Sequence, residues 1–352
     1  GCRSTLRKAD PGMKILQAIA GAEYGGAEAF FTRLSIAFQR AGLTQRIVMR
    51  RHEGRARALT AASIAPVQVR FGGKLDIASR LALRRQIAEF QPDIVLSWMN
   101  RATSFCPAGN FVHVGRLGGY YDIKYYRKCD HLIANTSDIA DYLKNSGWNE
   151  DRVHHLPNFV GGEQAAPAPR QKFYTPDTAP LILALGRLHE NKAFDVLLKA
   201  MARVPNVYLW IAGEGPLRKQ LEEQAEVLGI KPRVRFLGWR DDAAALFAAA
   251  DIFVCPSRHE PLGNVVIEAW AHGIPVIAAD SIGPGTLIQQ GDNGILFPID
   301  DAVTLANYIK RLIKDDDLRR TVSANGMARY EEEFTEHIVV GKYVEFFEQL
   351  LK

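Results

Sequence analysis

Asp251–Asp280 reads DIFVCPSRHEPLGNVVIEAWAHGIPVIAAD. Its opening, with Ile252 and Val254, is a short apolar run of the kind that forms a buried strand. A turn carrying Glu260, Pro261 and Gly263 follows. Val265 to His272 has the spacing of a helix, and Gly273 stops it. Pro275 to Ala279 is the next strand. A strand–loop–helix–strand unit is the crossover of a parallel sheet. In such sheets ligands sit beyond the C-terminal ends of the strands, where helices begin. The polar residues of this unit fall there.

Two carboxylates stand eight positions apart, Glu260 in the loop and Glu268 inside the helix. The amides of Gly263, Asn264 and Val265 lie at the helix start, free to donate to an anion and aided by the helix dipole. A diphosphate held there has a polyol on each side. Glu268 can accept from vicinal ribose hydroxyls and Glu260 from hexose hydroxyls. The plainer alternative is a solvated loop glutamate and a salt-bridged helix glutamate.

The run E-P-L-G-N-V-V-I-E-A-W-A-H-G-I-P-V-I-A resembles the E-x7-E signature of retaining GT-B glycosyltransferases of family 4, the group of lipopolysaccharide-core and phosphatidylinositol mannosyltransferases. The resemblance includes the proline after the first Glu and the G-x-P-V after the helix. It implies two facing Rossmann-like, doubly wound domains with a cleft between them. It also implies a nucleotide diphosphate sugar as donor.

The length of 352 residues exceeds what one ordinary core serves, so two domains are expected. No run of about 18 apolar residues occurs, so no membrane-spanning helix is expected. The first twelve residues lack an apolar h-region and precede Met13-Lys14-Ile15-Leu16, which reads like a natural start; they are expected to be foreign to the native chain. Cys2, Cys106, Cys129 and Cys255 form no C-x-x-C pair. Cys255 is expected to be a buried thiol in a reducing cytoplasm, with no disulfide and no zinc site.

The net charge of +5 is uneven. Residues 1–165 hold 23 Lys and Arg against 14 Asp and Glu, a balance of +9, and residues 166–352 hold 21 against 25, a balance of −4. A basic first half suits an acidic partner, such as anionic lipid headgroups or a phosphorylated glycolipid, or is simply a solvated surface. No nucleic-acid-binding module is recognisable.

Along the chain, Lys14 to Ala20 reads as the first strand and Ala27 to Gln39 as a helix with Phe30, Phe31, Leu34 and Phe38 inward. Gly25 and Gly26 at its entrance let a phosphate or sugar approach the backbone. GGAE resembles the family's glycine loop facing the donor phosphates. Strands follow at Gln45–Arg51, Val67–Phe71, Asp93–Trp98, Phe111–Val114 and His131–Asn135, alternating with helical patterns such as Ile77–Phe90. Arg50, Arg51, Arg55 and Arg57 read as a polar loop cluster that either meets an acidic acceptor or is solvated. A strand is expected to end near His113, followed by a flexible loop with Gly115, Arg116, Gly118 and Gly119, then Tyr120, Tyr121 and Asp122. The resemblance implies a histidine near this depth beside the reacting sugar. His113 or Arg116 can fill that role; a structural histidine is the alternative.

Val153 to Val160 (VHHLPNFV) resembles the family's V-x-x-I-P-N-G-V/I run, with Phe159 in place of Gly. The expected domains are 13–162 with a returning C-terminal helix 335–352, a linker 163–180 rich in Gly, Pro and polar residues that acts as a hinge, and 181–334. Gly186-Arg187-Leu188 to Lys192 resembles the family's G-R-L-x-x-x-K, whose Arg and Lys hold the donor diphosphate. The chemistry agrees: Arg187 offers a planar fork and Lys192 a mobile point charge. Gly213 and Gly215 keep a turn narrow. Trp239 and Arg240 end a strand at a turn that the family uses for the nucleotide base, although a tryptophan there also suits a core. The run from Ser281 resembles the family's G-x-x-E-x-x-x-x-G-x-x-G-x-L, except that Leu287 or a neighbour stands where an acid is common.

The expected activity is hexosyl transfer from a nucleotide diphosphate sugar to a hydroxyl of a cell-envelope glycan or glycolipid, retaining configuration and needing no metal or cofactor. Catalytic candidates are Glu260, Arg187, Lys192 and His113. Donor candidates are Gly25, Gly26, Gly186, Gly213, Arg240, Gly263, Asn264, Val265 and Glu268, and acceptor-side candidates are Arg116, Asp122, Arg50 and Arg51. The expected location is cytoplasmic, peripheral at the inner membrane face through the basic N-terminal domain. Two rivals stand beside it: a GT-B nucleotide-sugar epimerase, which needs no acceptor, and a two-domain sugar-binding protein, which needs an export signal and not Arg187 and Lys192.

Overall fold

The computed structural model describes residues 12–21, 25–73 and 75–352. The chain divides into two compact units, Gly1–Phe159 with Glu336–Lys352, and Val160–Thr335.

In the first unit the elements run β1 (Lys14–Ile19), α1 (Gly26–Arg40), β2 (Thr44–Arg50), α2 (Glu53–Ala61), β3 (Val67–Val69), α3 (Ile77–Phe90), β4 (Ile94–Trp98), α4 (Met99–Phe105), β5 (Val112–Leu117), β6 (His131–Ala134), α5 (Ser137–Asn145) and β7 (Val153–His155). The sheet order is β3-β2-β1-β4-β5-β6-β7, with every pairing parallel. Covered on both faces, β1 is buried from Ile15 to Ile19, which is why KILQAI is apolar almost throughout. Its one buried polar residue, Gln17, is satisfied inside. Its amide donates to Ser35 Oγ (3.1 Å) and Gln45 Oε1 (3.0 Å), and its oxygen accepts from Trp98 Nε1 (3.1 Å).

The second unit continues with β8 (Leu181–Leu185), α6 (Phe194–Met201), β9 (Tyr208–Ala212), α7 (Arg218–Val227), β10 (Val234–Gly238), α8 (Ala243–Ala249), β11 (Ile252–Cys255), α9 (Asn264–Ala271), β12 (Val276–Ala279), α10 (Ile282–Leu287), β13 (Ile295–Phe297), α11 (Ala302–Lys314) and α12 (Asp316–Glu333). Its sheet order is β10-β9-β8-β11-β12-β13, again parallel. Both sheets reverse strand order beside their first strand, at β1/β4 and at β8/β11. The crevice at such a switch point is where open α/β sheets take ligands.

Residues 163–180, read from composition as a linker, are strapped onto the second unit. Arg170 donates to Ala249 O through Nε and Nη2 (3.0 and 2.7 Å), and Trp210 Nε1 donates to Thr175 Oγ1 (2.9 Å). The last helix, α13 (Glu336–Leu350), packs on α1 of the first unit. Tyr343 and Phe347 meet the Phe38 ring edge-on at 5.5 and 5.9 Å. Each such buried ring contributes about 1.5–3 kcal/mol of apolar burial. Among the described residues no helix is long and apolar enough to cross a membrane.

Candidate active site

The loops at the C-terminal ends of β8, β11, β12 and β13 gather around one ion pair. Lys192, after β8, places Nζ 2.5 Å from Oε2 of Glu260, which follows β11. The pair therefore bridges the switch point of the second sheet. Glu260 is 8% exposed, so Lys192 is its compensating charge. The lysine has three N–H donors, and this contact uses one.

Backbone geometry explains the surrounding glycines. Gly186 has φ +151°, and a Cβ there would stand 3.3 Å from Cδ and Cε of Lys192; the lysine stem runs across it. Gly213 has φ +144°, and a Cβ would fall 1.9 Å from Gly186 O. These glycines let two strand-end loops lie backbone against backbone, also joined by Leu188 N donating to Glu214 O (3.0 Å). Gly263, with φ +70°, caps α9, whose first amides include those of Asn264 and Val265. Glu268 is half-buried in the first turns of α9.

Arg187 is exposed, and its guanidinium makes no hydrogen bond or ion pair with the described residues. It lines a cavity of about 360 Å³ with Gly186, Gly213, Glu214, Trp239 and Arg240. That volume lies within the range of small-ligand pockets. Trp239 is 79% exposed, so it is a wall of this cavity and not the core residue that a strand end also allows. Arg240 is tied to Asp242 by two bonds (2.8 and 2.5 Å), which fixes its plane. A larger concavity, about 700 Å³, runs along edge strand β10 and α7 past Lys219, Glu223 and Arg235, away from these loops.

One residue at the centre escaped the sequence reading. Arg258 Nε donates to Asp300 Oδ1 (2.6 Å), Nη1 to Glu190 O (2.8 Å) and Nη2 to Asp195 Oδ2 (2.8 Å). It joins the Glu260 loop to the turn carrying Lys192, to α6 and to the loop after β13. Its partners are 42 to 68 positions away, so no local pattern announces them.

In the first unit, several expectations are corrected. His113 is the second residue of β5, at the N-terminal end of the strand, away from the edge where ligands enter. It is 3% exposed, with Nε2 2.8 Å from Ser97 Oγ and its amide donating to Asp130 Oδ2 (2.8 Å). It is a core residue. Arg116 lies within β5, not in a loop, and is 1% exposed. Its Nε donates to Tyr343 Oη (2.8 Å) and Nη2 to Asn158 Oδ1 (2.5 Å), and the guanidinium stacks 4.3 Å from the Trp98 ring centre. It bolts α13 to the sheet. A Cβ at Gly115 would stand 2.8 Å from the Tyr126 ring and 3.0 Å from Cys129 Sγ, so this glycine marks close packing and not a loop. Arg55 and Arg57 belong to α2, capped by His52, and Arg55 is buried.

Burial pushes the His113 pKa down to about 4 from 6.5. The neutral ring is favoured in the fold, so stability is full above pH 6.5 and is lost as pH falls toward 4. The expected loss is on the order of 2–3 kcal/mol. Urea unfolding at pH 7 and pH 5 measures it. His113→Gln should make that dependence shallower, with His154, also pushed down to about 4 by burial, supplying a parallel share, and an equally steep dependence in the variant removes His113 as a source.

Gly25 caps α1, and a Cβ there would fall 2.2 Å from Glu28 Oε2; Gly26 is exposed with open space around it. Glu28, 7% exposed beneath Gly21 and Gly25, is a buried acid at the β1 edge that the GGAE run contained but composition alone did not mark. Asp122 is half-exposed, accepts from Lys124 N (2.9 Å) and pairs with Lys124 Nζ (2.5 Å). Arg50 and Arg51 are exposed at the C-terminal end of β2. Asp315 caps α12 by accepting from Leu318 N (2.9 Å), and Asp316 and Asp317 pair with Arg319 and Arg320. Among the described residues no group of three His, Cys, Asp or Glu stands together as a metal site.

Two Rossmann-like units, one with Arg, Lys and Glu gathered at the strand ends of its switch point, define the GT-B class of glycosyltransferases. Residues 167–329 match the family described as glycosyl transferases group 1, and residues 24–163 match glycosyltransferase family 4; the chain belongs to this glycosyltransferase family. It is 35% identical over 325 residues to a Rhizobium meliloti protein named lipopolysaccharide core biosynthesis glycosyltransferase LpsE, covering 91% of this chain and 95% of that one. It is 34% identical over 342 residues to LpsD of the same organism, named likewise, covering 96% and 98%. The Anabaena protein HepE, solved with UDP, shares the fold with TM-score 0.85 at 21% identity, over 96% of this chain and 100% of that one.

Proposed function

We propose that this chain moves a hexosyl group from a nucleoside diphosphate sugar to a hydroxyl of a cell-envelope glycan or glycolipid of the lipopolysaccharide-core kind, with retention and without a metal. The observation that carries the reading is the Lys192–Glu260 pair at the β8/β11 switch point beside Arg187, which has no partner among the described residues. Relatives named for lipopolysaccharide core biosynthesis support the acceptor class, and HepE, solved with UDP, supports a nucleoside diphosphate.

In this reading the base enters the cavity walled by Trp239 and Arg240, and Glu268 accepts from the ribose. The diphosphate takes Arg187, the two remaining donors of Lys192 and the amides at the start of α9. Glu260 faces the transferred sugar. The bond from C1 to the phosphate oxygen breaks, a bond to the acceptor oxygen forms on the same face, and the leaving phosphate takes the acceptor proton. Arg187, Lys192 and the helix amides stabilise the charge that develops on the diphosphate. On the first unit Asp122, Arg50, Arg51 and the Gly25–Gly26 entrance are the acceptor-side and glycine-loop candidates; His113 leaves the catalytic candidates and Arg116 the acceptor-side ones, because both are buried in the core.

The test screens nucleoside diphosphate sugars for thermal stabilisation and assays the best for transfer in excess EDTA. Transfer should persist, because the positive charge comes from side chains and backbone dipoles. Loss in EDTA, restored by Mg²⁺ or Mn²⁺, overturns the metal-independent form. Arg258→Gln should lower turnover about tenfold to a hundredfold by letting the Glu260 and Lys192 loops drift. Nucleoside diphosphate affinity should change far less, and Arg258→Lys should recover only part of the turnover because it lacks the planar fork. Unchanged turnover in Arg258→Gln would remove it as a positioning residue.

A further inference from the structure

Within the first unit, residues 143–153 read LKNSGWNEDRV, and the turn they make holds one side chain in place. Helix α5 ends at Asn145, and Gly147 follows with φ +98°, a conformation that favours glycine. Gly147 N donates to Lys144 O (3.0 Å) and Trp148 N to Leu143 O (3.2 Å). Those two bonds close the helix end and fix where Trp148 leaves it. Asn149 is set next: its Oδ1 accepts from Asp151 N (3.0 Å), opening the short turn Glu150–Arg152 that leads into β7.

Trp148 is half-buried and walls a cavity of about 420 Å³ with Ile123, Arg127, Asn149 and Arg152. That volume suits a small ligand. Arg127 precedes β6 and Arg152 precedes β7, which run parallel. The cavity therefore lies toward the N-terminal edge of the sheet, opposite the edge that carries Arg50 and Arg51.

The free side-chain polar groups on its walls are all donors. The guanidinium groups of Arg127 and Arg152 are exposed and make no hydrogen bond or ion pair with the described residues. The Trp148 indole N–H donates to none of them either. Asn149 has its oxygen taken and two N–H donors left. No acid is among the walls, and the nearby Asp122 is paired with Lys124. Two planar forks without a competing carboxylate favour an oxyanion, and a phosphate above all, because each fork can give it two parallel bonds. The indole and Ile123 supply an apolar wall beside them, and an indole with a free N–H suits the mixed C–H and hydroxyl surface of a sugar ring.

We propose that this cavity is a second saccharide site, taking a sugar that carries a phosphate group, with Arg127 and Arg152 on the phosphate and Trp148 against the ring. In the transferase reading it holds the acceptor at a point remote from the reacting hydroxyl. That purpose rests on the reading; the binding does not.

The test follows the tryptophan indole resonances of the isotope-labelled full chain by NMR during titration with glucose 6-phosphate, inorganic phosphate and glucose. Trp148→Phe identifies the Trp148 resonance among the five tryptophans. Glucose 6-phosphate should move it to saturation, at lower concentration than inorganic phosphate and far lower than glucose, and added salt should weaken the effect. Arg127→Gln with Arg152→Gln should lower that affinity at least tenfold, with thermal unfolding unchanged because both side chains are exposed. Arg187→Ala should leave the affinity as it is, which separates this site from the donor cavity. An unmoved Trp148 resonance overturns the inference, as does a response confined to Trp239 or an affinity retained by the double variant. Inorganic phosphate bound as tightly as glucose 6-phosphate overturns it too, because the ring then contributes nothing. A chain that transfers sugar but fails this titration sinks only this inference, and one that passes it but transfers nothing sinks only the transferase reading.

Discussion

Lys192→Ala is expected to lower kcat/KM by the equivalent of about 2–4 kcal/mol, by removing a charge-assisted contact to the departing diphosphate. Arg187→Ala should lose a similar amount. The two variants should differ in stability. Arg187 is exposed and has no partner among the described residues, so its removal leaves folding untouched. Lys192 compensates Glu260, whose side chain is 10% exposed, so its removal strands a carboxylate and should cost about 1–3 kcal/mol of folding stability. Glu260→Gln in the Lys192→Ala background should restore that stability without restoring turnover. Thermal unfolding and steady-state kinetics on the four proteins check this. Parental turnover in either single variant would remove the phosphate clamp from the account.

The second large effect separates the two glutamates. Glu268→Gln should weaken donor and free nucleoside diphosphate alike, because a ribose contact lies far from bond cleavage and acts on ground state and transition state equally. Glu260→Gln should cut turnover, by about 2–4 kcal/mol in barrier, while leaving free nucleoside diphosphate affinity nearly intact. The motivation is position. Glu260 stands before the cap of α9 and touches Lys192, whereas Glu268 lies within the helix. Calorimetric titration with the nucleoside diphosphate reads both. Lost affinity in Glu260→Gln with unchanged affinity in Glu268→Gln would mean that the donor lies the other way round.

The doubly wound sheets were legible because their strands are short apolar runs punctuated by helical spacing, as at Lys14–Ile19 and Ile252–Cys255. The places of the G-R-L-x-x-x-K and E-P-L-G runs were legible for a related reason: each sits where a strand gives way to a helix, and that junction is itself a local pattern. What failed was everything decided by distant neighbours. Gly115 looked like loop chemistry because nothing local reveals the Tyr126 ring and Cys129 sulfur pressed against it. That error carried Arg116 with it, out of β5 and into an imagined loop. His113 was drawn toward the site by residue type, although its place at the start of β5 decides against it. Arg258 carries no local signal because its partners Asp195 and Asp300 come from the start of α6 and the loop after β13. The segment 163–180 has the composition of a linker but is held by Arg170, Thr175 and Phe173, whose partners lie on β9, α8 and β10 and in the turn after α8.

The measurement that meets the central claim most directly is product analysis by mass spectrometry and NMR after incubating the purified chain with its stabilising nucleoside diphosphate sugar, with and without a lipopolysaccharide-core acceptor. The account predicts an acceptor heavier by one hexose, an anomeric configuration matching that of the donor, and a free nucleoside diphosphate. An isomerised nucleotide sugar formed without acceptor, or a glycosylated product of inverted configuration, would contradict it.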